Sequence, residues 1–351
     1  MATRLSWLVL GTGAIGTYVG GSLLLNGEKV VFLEQSETAS FLWEQGLKLN
    51  ISGQDYRILH PEIFASIPAA LSFSRYDVIV FALKSYDTFA AIEMMRPFSA
   101  DLPPILCLQN GVENEAELSA LLGEGRVIAG TVTSSVSRSG MGDICLERKR
   151  GIGIARGNSL AGQITRALTD AHLNASLYNS PPAMKWSKML TNLLGNASSA
   201  ILDMTPSEIL ASPQLYNMEI EQVREALAVM KGLDLRPVDL PGVPVRLFSW
   251  AVNSLPPGLS QRIISRMAGA GRGEKMPSFH IDLHSGKEKS EVDYLNGAVV
   301  RFGRLTGVAT PINNWLNQTL LALAEGNLPL EEYAHNPDKL LRVIYLDDEA
   351  D

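Results

Sequence analysis

The stretch LSWLVLGTGAIGTYVGGSLLL, Leu5–Leu25, decides the fold, because two very different structures begin in this way. It contains no charged side chain, and Arg4 stands just before it. About 20 apolar residues suffice for a membrane helix, and a shorter apolar run forms the core of a signal peptide. This stretch, however, holds five glycines, no basic cluster beyond Arg4 and no clear cleavage site. These features argue against a leader or an anchor and favour a nucleotide-binding unit.

The glycines follow the pattern Gly11-x-Gly13-x-x-Gly16, directly after the short buried-strand pattern LSWLVLG. In a strand–turn–helix unit, the first glycine permits the tight turn, the second lets the backbone approach a pyrophosphate, and the third lets the helix pack on the strand. The phosphates then lie at the helix N-terminus, where free N–H groups and the helix dipole favour negative charge. The predicted cofactor-binding residues of this turn are Gly11, Thr12, Gly13, Ala14, Ile15 and Gly16.

Three further apolar runs end at polar residues, as the strands of a doubly wound parallel sheet do. VVFLE ends at Glu34, YDVIVFALKS leads to Lys84, and PPILCLQNG leads to Asn110. Glu34 follows Gly16 by 18 residues, about the spacing at which an acidic residue binds a ribose 2′-hydroxyl. The pattern therefore predicts an α/β fold that begins with a Rossmann-like doubly wound sheet.

Strand patterns dominate residues 1–180, and helical patterns dominate residues 181–351. LKLNISGQDYRIL predicts two short strands across a Ser-Gly turn, and RVIAGTVTSSVSR, GDICLER and GIGIARG are predicted to continue the main sheet. Pro181-Pro182 marks the boundary between a dinucleotide-binding domain, 1–180, and a helical substrate or catalytic domain, 181–351. Within the helical domain, residues 236–277 are rich in proline and glycine, which predicts short helices and loops.

The bulk composition excludes several kinds of partner. The formal net charge is −7, so the chain lacks the basic surface that nucleic acids or anionic membranes attract. Its two cysteines, Cys107 and Cys145, have neither metal-ligand nor redox spacing. We therefore expect a cytoplasmic protein with reduced cysteines, without a nucleic-acid or membrane partner. The apolar helices of the second domain offer surfaces suited to a homodimer.

Polar side chains follow a helical spacing at the start of the second domain. Lys188, Asn192 and Asn196 are spaced i, i+4 and i+8, which places an ammonium and two amides on one face of a single helix. This stripe is either a solvated face or the wall of a binding site. A second polar segment, SEVDYLNG, begins another helix. There, Ser290 as the N-cap and Glu291 in the first turn have an ordinary structural explanation.

These motifs, in this order, resemble the ketopantoate reductase (2-dehydropantoate 2-reductase) family. The glycine-rich turn, the strand leading to Lys84, the QNG of Asn110, KWSKMLTNLLGN, and the segment from PSFHIDL to SEVDYLNG carry the resemblance from residue 6 to about residue 325. It implies a Rossmann-like domain followed by an all-α domain of the 6-phosphogluconate dehydrogenase type. It also implies hydride transfer from NAD(P)H to the keto carbon of a 2-oxo acid. The 2-oxo acid that the resemblance implies is 2-dehydropantoate, which is reduced to pantoate in pantothenate biosynthesis.

The resemblance also assigns roles to individual residues. It implies that Lys188 donates a proton to the substrate carbonyl oxygen, and that Glu291 helps to hold this lysine and the substrate. It implies cofactor contacts for Lys84 and Asn110. The implied substrate-binding residues are Asn110, Asn192, Asn196 and Ser278.

The sequence departs from the family pattern at two places. The family has a basic residue after the second strand that holds the 2′-phosphate of NADP, whereas this chain has Glu34-Gln35 there, which favours NAD. The alternative is that Glu34 points away and Lys84 or another base holds a phosphate. The segments 236–277 and 278–291 are longer than in compact members, so another 2-oxo acid or a small ketone is an alternative substrate. A non-catalytic nicotinamide-binding sensor is the alternative from a different class.

Two further interpretations concern the helical domain. Lys185 competes with Lys188 as the proton donor, but only Lys188 has asparagines at both i+4 and i+8. His280 and His284 are spaced i, i+4 with Asp282 between them, as metal ligands on a helix can be. The sequence provides no convincing third ligand and no H-E-x-x-H pattern, so we expect a surface helix and no metal site.

Overall fold

The computed structural model describes residues 4–272 and 275–346, without the side chains of residues 267–272 and Leu346. The chain forms two compact units. The first runs to Lys185 and takes in Leu240–Val243, and the second consists of Trp186–Asp239 and the chain from Pro244 onward. Among the described residues, no helix has the length and apolar character needed to cross a bilayer.

The first unit is built on an eight-stranded sheet with the strand order β12-β11-β8-β7-β6-β1-β2-β5. All neighbours in it are parallel except β8 and β11. The strands are β1 Ser6–Leu10, β2 Lys29–Leu33, β3 Leu47–Ile51, β4 Gln54–Ile58, β5 Ile63–Phe64, β6 Val78–Phe81, β7 Ile105–Cys107, β8 Val127–Val132, β9 Ser135–Gly140, β10 Asp143–Arg148, β11 Ile152–Ala155 and β12 Ala175–Tyr178. The predicted Rossmann-like sheet is confirmed.

A second sheet, with the order β4-β3-β10-β9, lies in the same unit. The predicted pair of strands across the Ser-Gly turn is its antiparallel pair β3–β4. The prediction that RVIAGTVTSSVSR and GDICLER continue the main sheet is wrong for β9 and β10, because β10 pairs with β3 instead. Strand patterns predict extended backbone, but they do not say which edge a strand joins.

Six helices pack on these sheets: α1 Ala14–Leu25, α2 Ser36–Gln45, α3 Ile67–Phe73, α4 Thr88–Met95, α5 Asn114–Leu122 and α6 Ala161–Asp170. Helix α1 contacts strands of both sheets, and every residue from Gly16 to Leu23 is buried. This position explains why the helix has no polar face, since a helix covered on all sides is apolar all round. Strand β1 is buried on both faces as well, with Trp7 and Val9 in one core and Leu8 and Leu10 in the other.

Helices joined by loops build the described part of the second unit, and none of the strands β1–β12 lies in it, as predicted. It consists of most of α7, which begins in the first unit, and nine further helices. The helices are α7 Pro181–Leu193, α8 Ala197–Leu202, α9 Pro206–Ala211, α10 Pro213–Gly232, α11 Val245–Ser254, α12 Pro257–Arg272, α13 Ser278–His284, α14 Val292–Thr306, α15 Pro311–Ala324 and α16 Pro337–Leu346. Short helices and loops were predicted for 236–277, whereas α12 alone has 16 residues.

The short segment Leu240–Val243 joins the first unit rather than the second. The Thr133 hydroxyl donates a hydrogen bond of 2.7 Å to the Pro241 carbonyl oxygen, and this bond ties the segment to the end of β8. The domain boundary predicted at 180/181 falls just before α7, and the two compact units divide within that helix.

Candidate active site

The carboxyl ends of four neighbouring parallel strands carry the predicted residues of the first unit. In the order β7-β6-β1-β2, these strands lead to Asn110, to Lys84, to the glycine-rich turn and to Glu34. The chain leaves β1 toward β2 on one side, and β6 pairs with β1 on the other side. This is the point where the strand order reverses, and open α/β sheets bind their ligands at such a point.

The glycine-rich turn has the geometry that a dinucleotide requires. Gly11 has φ +88°, and a Cβ on it would lie 2.6 Å from Leu83 Cδ2. A Cβ on Gly16 would lie 1.8 Å from the Gly11 carbonyl oxygen, so the helix can approach the strand only with glycine there. Gly13 is the N-cap of α1, and a Cβ built on it meets nothing within 4 Å. The space beside Gly13 at the start of α1 is therefore open, which a pyrophosphate bound at this helix N-terminus would require.

Glu34 lies against this turn. Its Oε2 accepts hydrogen bonds from the Thr12 backbone N–H at 2.7 Å and from the Thr12 hydroxyl at 2.8 Å, and its Oε1 accepts one from the Gln35 N–H at 3.0 Å. A carboxylate has about four lone-pair positions, so these three bonds leave it able to accept another. The carboxylate is fixed at the end of β2, where an adenosine ribose is bound in this fold.

A buried polar network joins the loops that carry Lys84 and Asn110. The Asn110 carbonyl oxygen accepts from Asn114 Nδ2 at 2.6 Å and from the Ser85 hydroxyl at 3.2 Å. Gln109 Nε2 donates to the Lys84 carbonyl oxygen at 3.2 Å. Ser85, Gln109 and Asn114 are all buried. The sequence prediction missed these three positioning residues, although Gln109 stands next to Asn110 and Asn114 follows it by four residues.

Lys185 is buried and bonded to groups inside the first unit. Its Nζ lies 2.7 Å from Glu115 Oε1 and donates hydrogen bonds to the carbonyl oxygens of Gln109, at 2.6 Å, and Gly130, at 3.4 Å. Burial by itself lowers the pKa of the Lys185 ammonium, but the facing Glu115 carboxylate, together with the neighbouring Cys107, outweighs burial and leaves that pKa raised. The lysine is therefore charged, and its donors serve these internal acceptors.

The predicted polar stripe of the second unit is not on a single helix. Lys188 and Asn192 lie one turn apart on α7, and both are half-buried. Helix α7 ends at Leu193, Gly195 has φ +62°, and Asn196 is the N-cap of α8. The prediction that Asn196 shares one helical face with Lys188 and Asn192 is therefore wrong, because Asn196 lies beyond the end of their helix. The buried Asn196 instead accepts, through Oδ1, a hydrogen bond of 3.4 Å from the Phe279 backbone N–H.

The break between α7 and α8 is held by a carboxylate from α10. Glu219 is fully buried, and its Oε2 accepts from the Gly195 N–H at 2.6 Å and from Gln222 Nε2 at 2.6 Å. Its Oε1 accepts from the Ser198 hydroxyl. The left-handed backbone at Gly195 costs little because glycine has no Cβ. The sequence prediction missed Glu219, whose signal was its place between two apolar residues of α10, Met218 and Ile220.

The other two predicted residues of this unit begin helices. Ser278 is the first residue of α13 and is exposed, and Asn196 contacts the next residue, Phe279. Glu291 is the N-cap of α14 and only 4% exposed. Helix α14 packs on α7 through an edge-on contact between Trp186 and Phe302, with ring centroids 5.4 Å apart. The helices that carry the predicted residues are thus packed together within the second unit.

Comparisons with known proteins agree with this architecture. The family model described as Ketopantoate reductase PanE/ApbA matches residues 7–158, and the model of its C-terminal domain matches residues 182–324. The 2-dehydropantoate 2-reductase of Halobacterium salinarum is 29% identical over 317 residues, which cover 87% of this chain and 94% of the relative. The corresponding enzyme of Pyrococcus horikoshii is 27% identical over 314 residues, which cover 87% of this chain and 93% of the relative.

Solved structures show the same fold over nearly the whole chain. A PanE/ApbA family ketopantoate reductase from Ralstonia eutropha JMP134 superposes with a TM-score of 0.76 at 25% identity, over 91% of this chain and 99% of that one. D-mandelate dehydrogenase, solved with NADH and anilino(oxo)acetate, gives a TM-score of 0.75 at 20% identity, over 91% of this chain and 98% of that one. The second likeness concerns the fold alone.

Proposed function

The chain belongs to the ketopantoate reductase family and is an oxidoreductase. We propose that it reduces 2-dehydropantoate to pantoate, with a hydride from NAD(P)H and a proton from Lys188. The observation that carries this proposal is the open glycine-rich turn at the reversal of strand order, with Glu34, Lys84 and Asn110 on the neighbouring strand ends. When bound there, the reduced nicotinamide supplies a hydride to the keto carbon.

The chain's own residues handle the proton. Reduction of the carbonyl puts negative charge on its oxygen, and a proton must reach that oxygen. A lysine keeps its proton near neutral pH unless it is strongly desolvated, so it suits this role. Two lysines compete for it, and the internal contacts of Lys185 with Glu115 and Gln109 support Lys188.

The remaining predicted residues would orient the substrate and the lysine. A carboxylate near an ammonium favours its charged form, and we assign this role to Glu291. Asn192 and Asn196 would donate neutral hydrogen bonds that hold the 2-oxo acid without competing for the proton. Ser278, exposed at the start of α13, would bind near the substrate carboxylate.

The position of Glu34 supports NADH over NADPH. Its carboxylate is fixed at the end of β2 by Thr12 and Gln35. A carboxylate there accepts hydrogen bonds from a free ribose 2′-hydroxyl and repels a 2′-phosphate. The fold itself accommodates NADH, as the D-mandelate dehydrogenase structure with that cofactor illustrates.

The test is a reductase assay on the full chain. Loss of reduced-nicotinamide absorbance is followed with NADH and with NADPH, in the presence of 2-dehydropantoate, 2-oxoisovalerate or phenylglyoxylate. We expect the highest kcat/KM with NADH and 2-dehydropantoate. Faster turnover of another 2-oxo acid would assign that acid as the substrate, while the proposed hydride and proton transfer would stand. Cofactor binding without turnover of any of these acids would overturn the enzymatic proposal in favour of a sensor.

A further inference from the structure

A cluster of histidines surrounds one carboxylate in the second unit. His280 Nε2 lies 2.6 Å from Asp203 Oδ1, His284 Nε2 lies 3.9 Å from the same oxygen, and His335 Nε2 lies 3.5 Å from Oδ2. These are three of the five histidines in the chain. We call Asp203, His280, His284 and His335 the histidine cluster. No residue of this cluster has a role in the proposed reaction.

Three separate segments build the histidine cluster. Helix α13 places His280 and His284 one turn apart, with their rings stacked at a centroid distance of 4.0 Å. Asp203 is the C-cap of α8 and has the left-handed conformation. The His335 N–H donates a hydrogen bond of 2.7 Å to the carbonyl oxygen of Leu202, which immediately precedes Asp203. Asp203 precedes His280 by 77 positions, which is why the sequence provided no third ligand.

Asp282, which stands between the two helical histidines in the sequence, does not belong to the cluster. Its carboxylate is buried and accepts a hydrogen bond from Lys287 Nζ at 2.5 Å. The carboxylate that faces the histidines is therefore the distant one, Asp203.

The donor set of the histidine cluster suits a divalent transition metal. His280 Nε2 and His284 Nε2 both lie near Asp203 Oδ1, at 2.6 Å and 3.9 Å, and the two rings are stacked at 4.0 Å. Imidazole nitrogen and carboxylate oxygen are the ligands that zinc prefers beside thiolate.

The dimensions of the cluster suit a zinc ion after a small contraction. The candidate ligand atoms of Asp203, His280 and His284 all lie within 4.8 Å of one another. Zinc–nitrogen and zinc–oxygen bonds of about 2.0–2.2 Å place tetrahedral ligands about 3.4 Å apart. The side chains that must move are free to do so, since His284 is 33% exposed and His335 is 70% exposed. Both exposures also give an ion access from solvent.

We propose that Asp203, His280 and His284 bind one zinc ion in a structural site, and that rotation of the exposed His335 side chain supplies a fourth ligand. The ion would join the end of α8, helix α13 and the segment of His335. Helix α13 begins with Ser278, and Phe279 is hydrogen-bonded to Asn196, so the ion would stabilise the part of the second unit that carries two predicted substrate-binding residues. It fixes their backbone and takes no part in the reaction.

The test is zinc binding by untagged, metal-stripped full-length protein, measured by titration calorimetry and by thermal unfolding. We expect one equivalent of zinc to bind with a dissociation constant in the micromolar range or below. Saturating zinc should raise the thermal midpoint by on the order of 5 °C, since a ligand that binds only the folded state stabilises it. Magnesium should neither bind nor compete, because it prefers oxygen ligands.

Three variants identify the site. His284→Ala removes a partly exposed ligand. Losing a residue that only hydrogen-bonds to a metal ligand usually lowers metal affinity by about 10- to 100-fold, so we expect the loss of a ligand itself to lower zinc affinity by more than that. His335→Asn should weaken binding by a smaller factor, and it remains informative if His284→Ala does not fold. His172→Asn is the matched control, because His172 is exposed and, like His335, has a positive φ, 61° against 52°.

Unchanged zinc affinity in both cluster variants would overturn the proposal, and so would an equal loss in His172→Asn. Absence of saturable binding by the parent protein would overturn it as well, and the cluster would then be a set of ion pairs. None of these outcomes depends on turnover, so the proposed reaction can fail while the zinc site stands.

Discussion

The two units position their candidate site residues by different means. In the first unit, Glu34, Lys84 and Asn110 follow neighbouring parallel strands, so the pairing of the backbone brings them to one edge of the sheet. In the second unit, Asn196 owes its position to a break between α7 and α8, which the side chain of Glu219 holds from a third helix.

Because of this difference, the candidate site residues of the second unit depend more on single distant side chains than those of the first unit do. Backbone pairing in a sheet is shared among many hydrogen bonds, and the loss of one side chain changes it little. The helix break depends on one buried carboxylate with three donors, Gly195, Ser198 and Gln222. We therefore expect single substitutions to displace the second half more easily than the first. Four predictions test or sharpen this comparison.

Lys188→Ala should have the largest effect on activity. Loss of a general acid lowers kcat by about 10²- to 10⁴-fold, and cofactor affinity should not change, because the proposed cofactor site lies on the first unit. Steady-state kinetics and a cofactor-binding titration measure the two quantities. Lys231→Ala, an exposed lysine on α10, is the control and should keep full activity. A Lys188→Ala enzyme that keeps its kcat would assign the proton to another group.

Lys185→Met should have the largest effect on stability. The substitution leaves the half-buried Glu115 carboxylate without its ammonium. Breaking one partner of a fully buried pair costs about 3–5 kcal/mol in the free energy of unfolding, and the partial exposure of Glu115 places the expected loss at the lower end of that range. The double variant Lys185→Met, Glu115→Leu removes both charges and should recover much of this loss. Urea unfolding of the single and double variants measures it. Equal stability of the single and double variants would mean that the unpaired Glu115 carboxylate does not cause the loss of stability.

Glu219→Gln tests whether a side chain holds the helix break. An amide can accept at only one of its two positions, so one of the donors at Gly195, Ser198 or Gln222 loses its acceptor, at a cost of about 1–3 kcal/mol. Because Asn196 follows Gly195 directly, KM for the substrate should rise more than kcat falls. Glu221→Gln, on the same helix, is the control. If its effects on unfolding and KM match those of Glu219→Gln, the break does not depend on Glu219.

Glu34→Ala should have the smallest effect, because only one of several cofactor contacts is lost. We expect NADH affinity to fall by about tenfold, the value of one hydrogen bond to a charged group, and the preference for NADH over NADPH to shrink. Fluorescence titration with both cofactors measures this change. Glu37→Ala removes a neighbouring exposed carboxylate and serves as the control. An unchanged ratio of the two affinities would remove Glu34 from cofactor selection.

The sequence was sufficient where neighbours in the chain determine the structure. The turn from Gly11 to Gly16 needs glycine for local reasons, and the structure has the predicted strand, turn and helix there. Spacing failed where a distant group intervenes. The i, i+4, i+8 pattern ignored Glu219, and the sequence could not show that folding places Asp203 beside His280 and His284 as a third candidate ligand. The edge that β10 joins was likewise decided by tertiary pairing with β3.

The burial of α1 between two sheets has a consequence for synthesis. The strands that cover its outer side include β9 and β10, which end more than a hundred residues after the helix itself. An apolar helix without its cover is prone to aggregate while a chain grows from its N-terminus. We therefore expect the opening segment to wait uncovered on the ribosome until Arg148 has emerged. Helix α1, made before β9 and β10, would then reach its final packing only after both strands have been made.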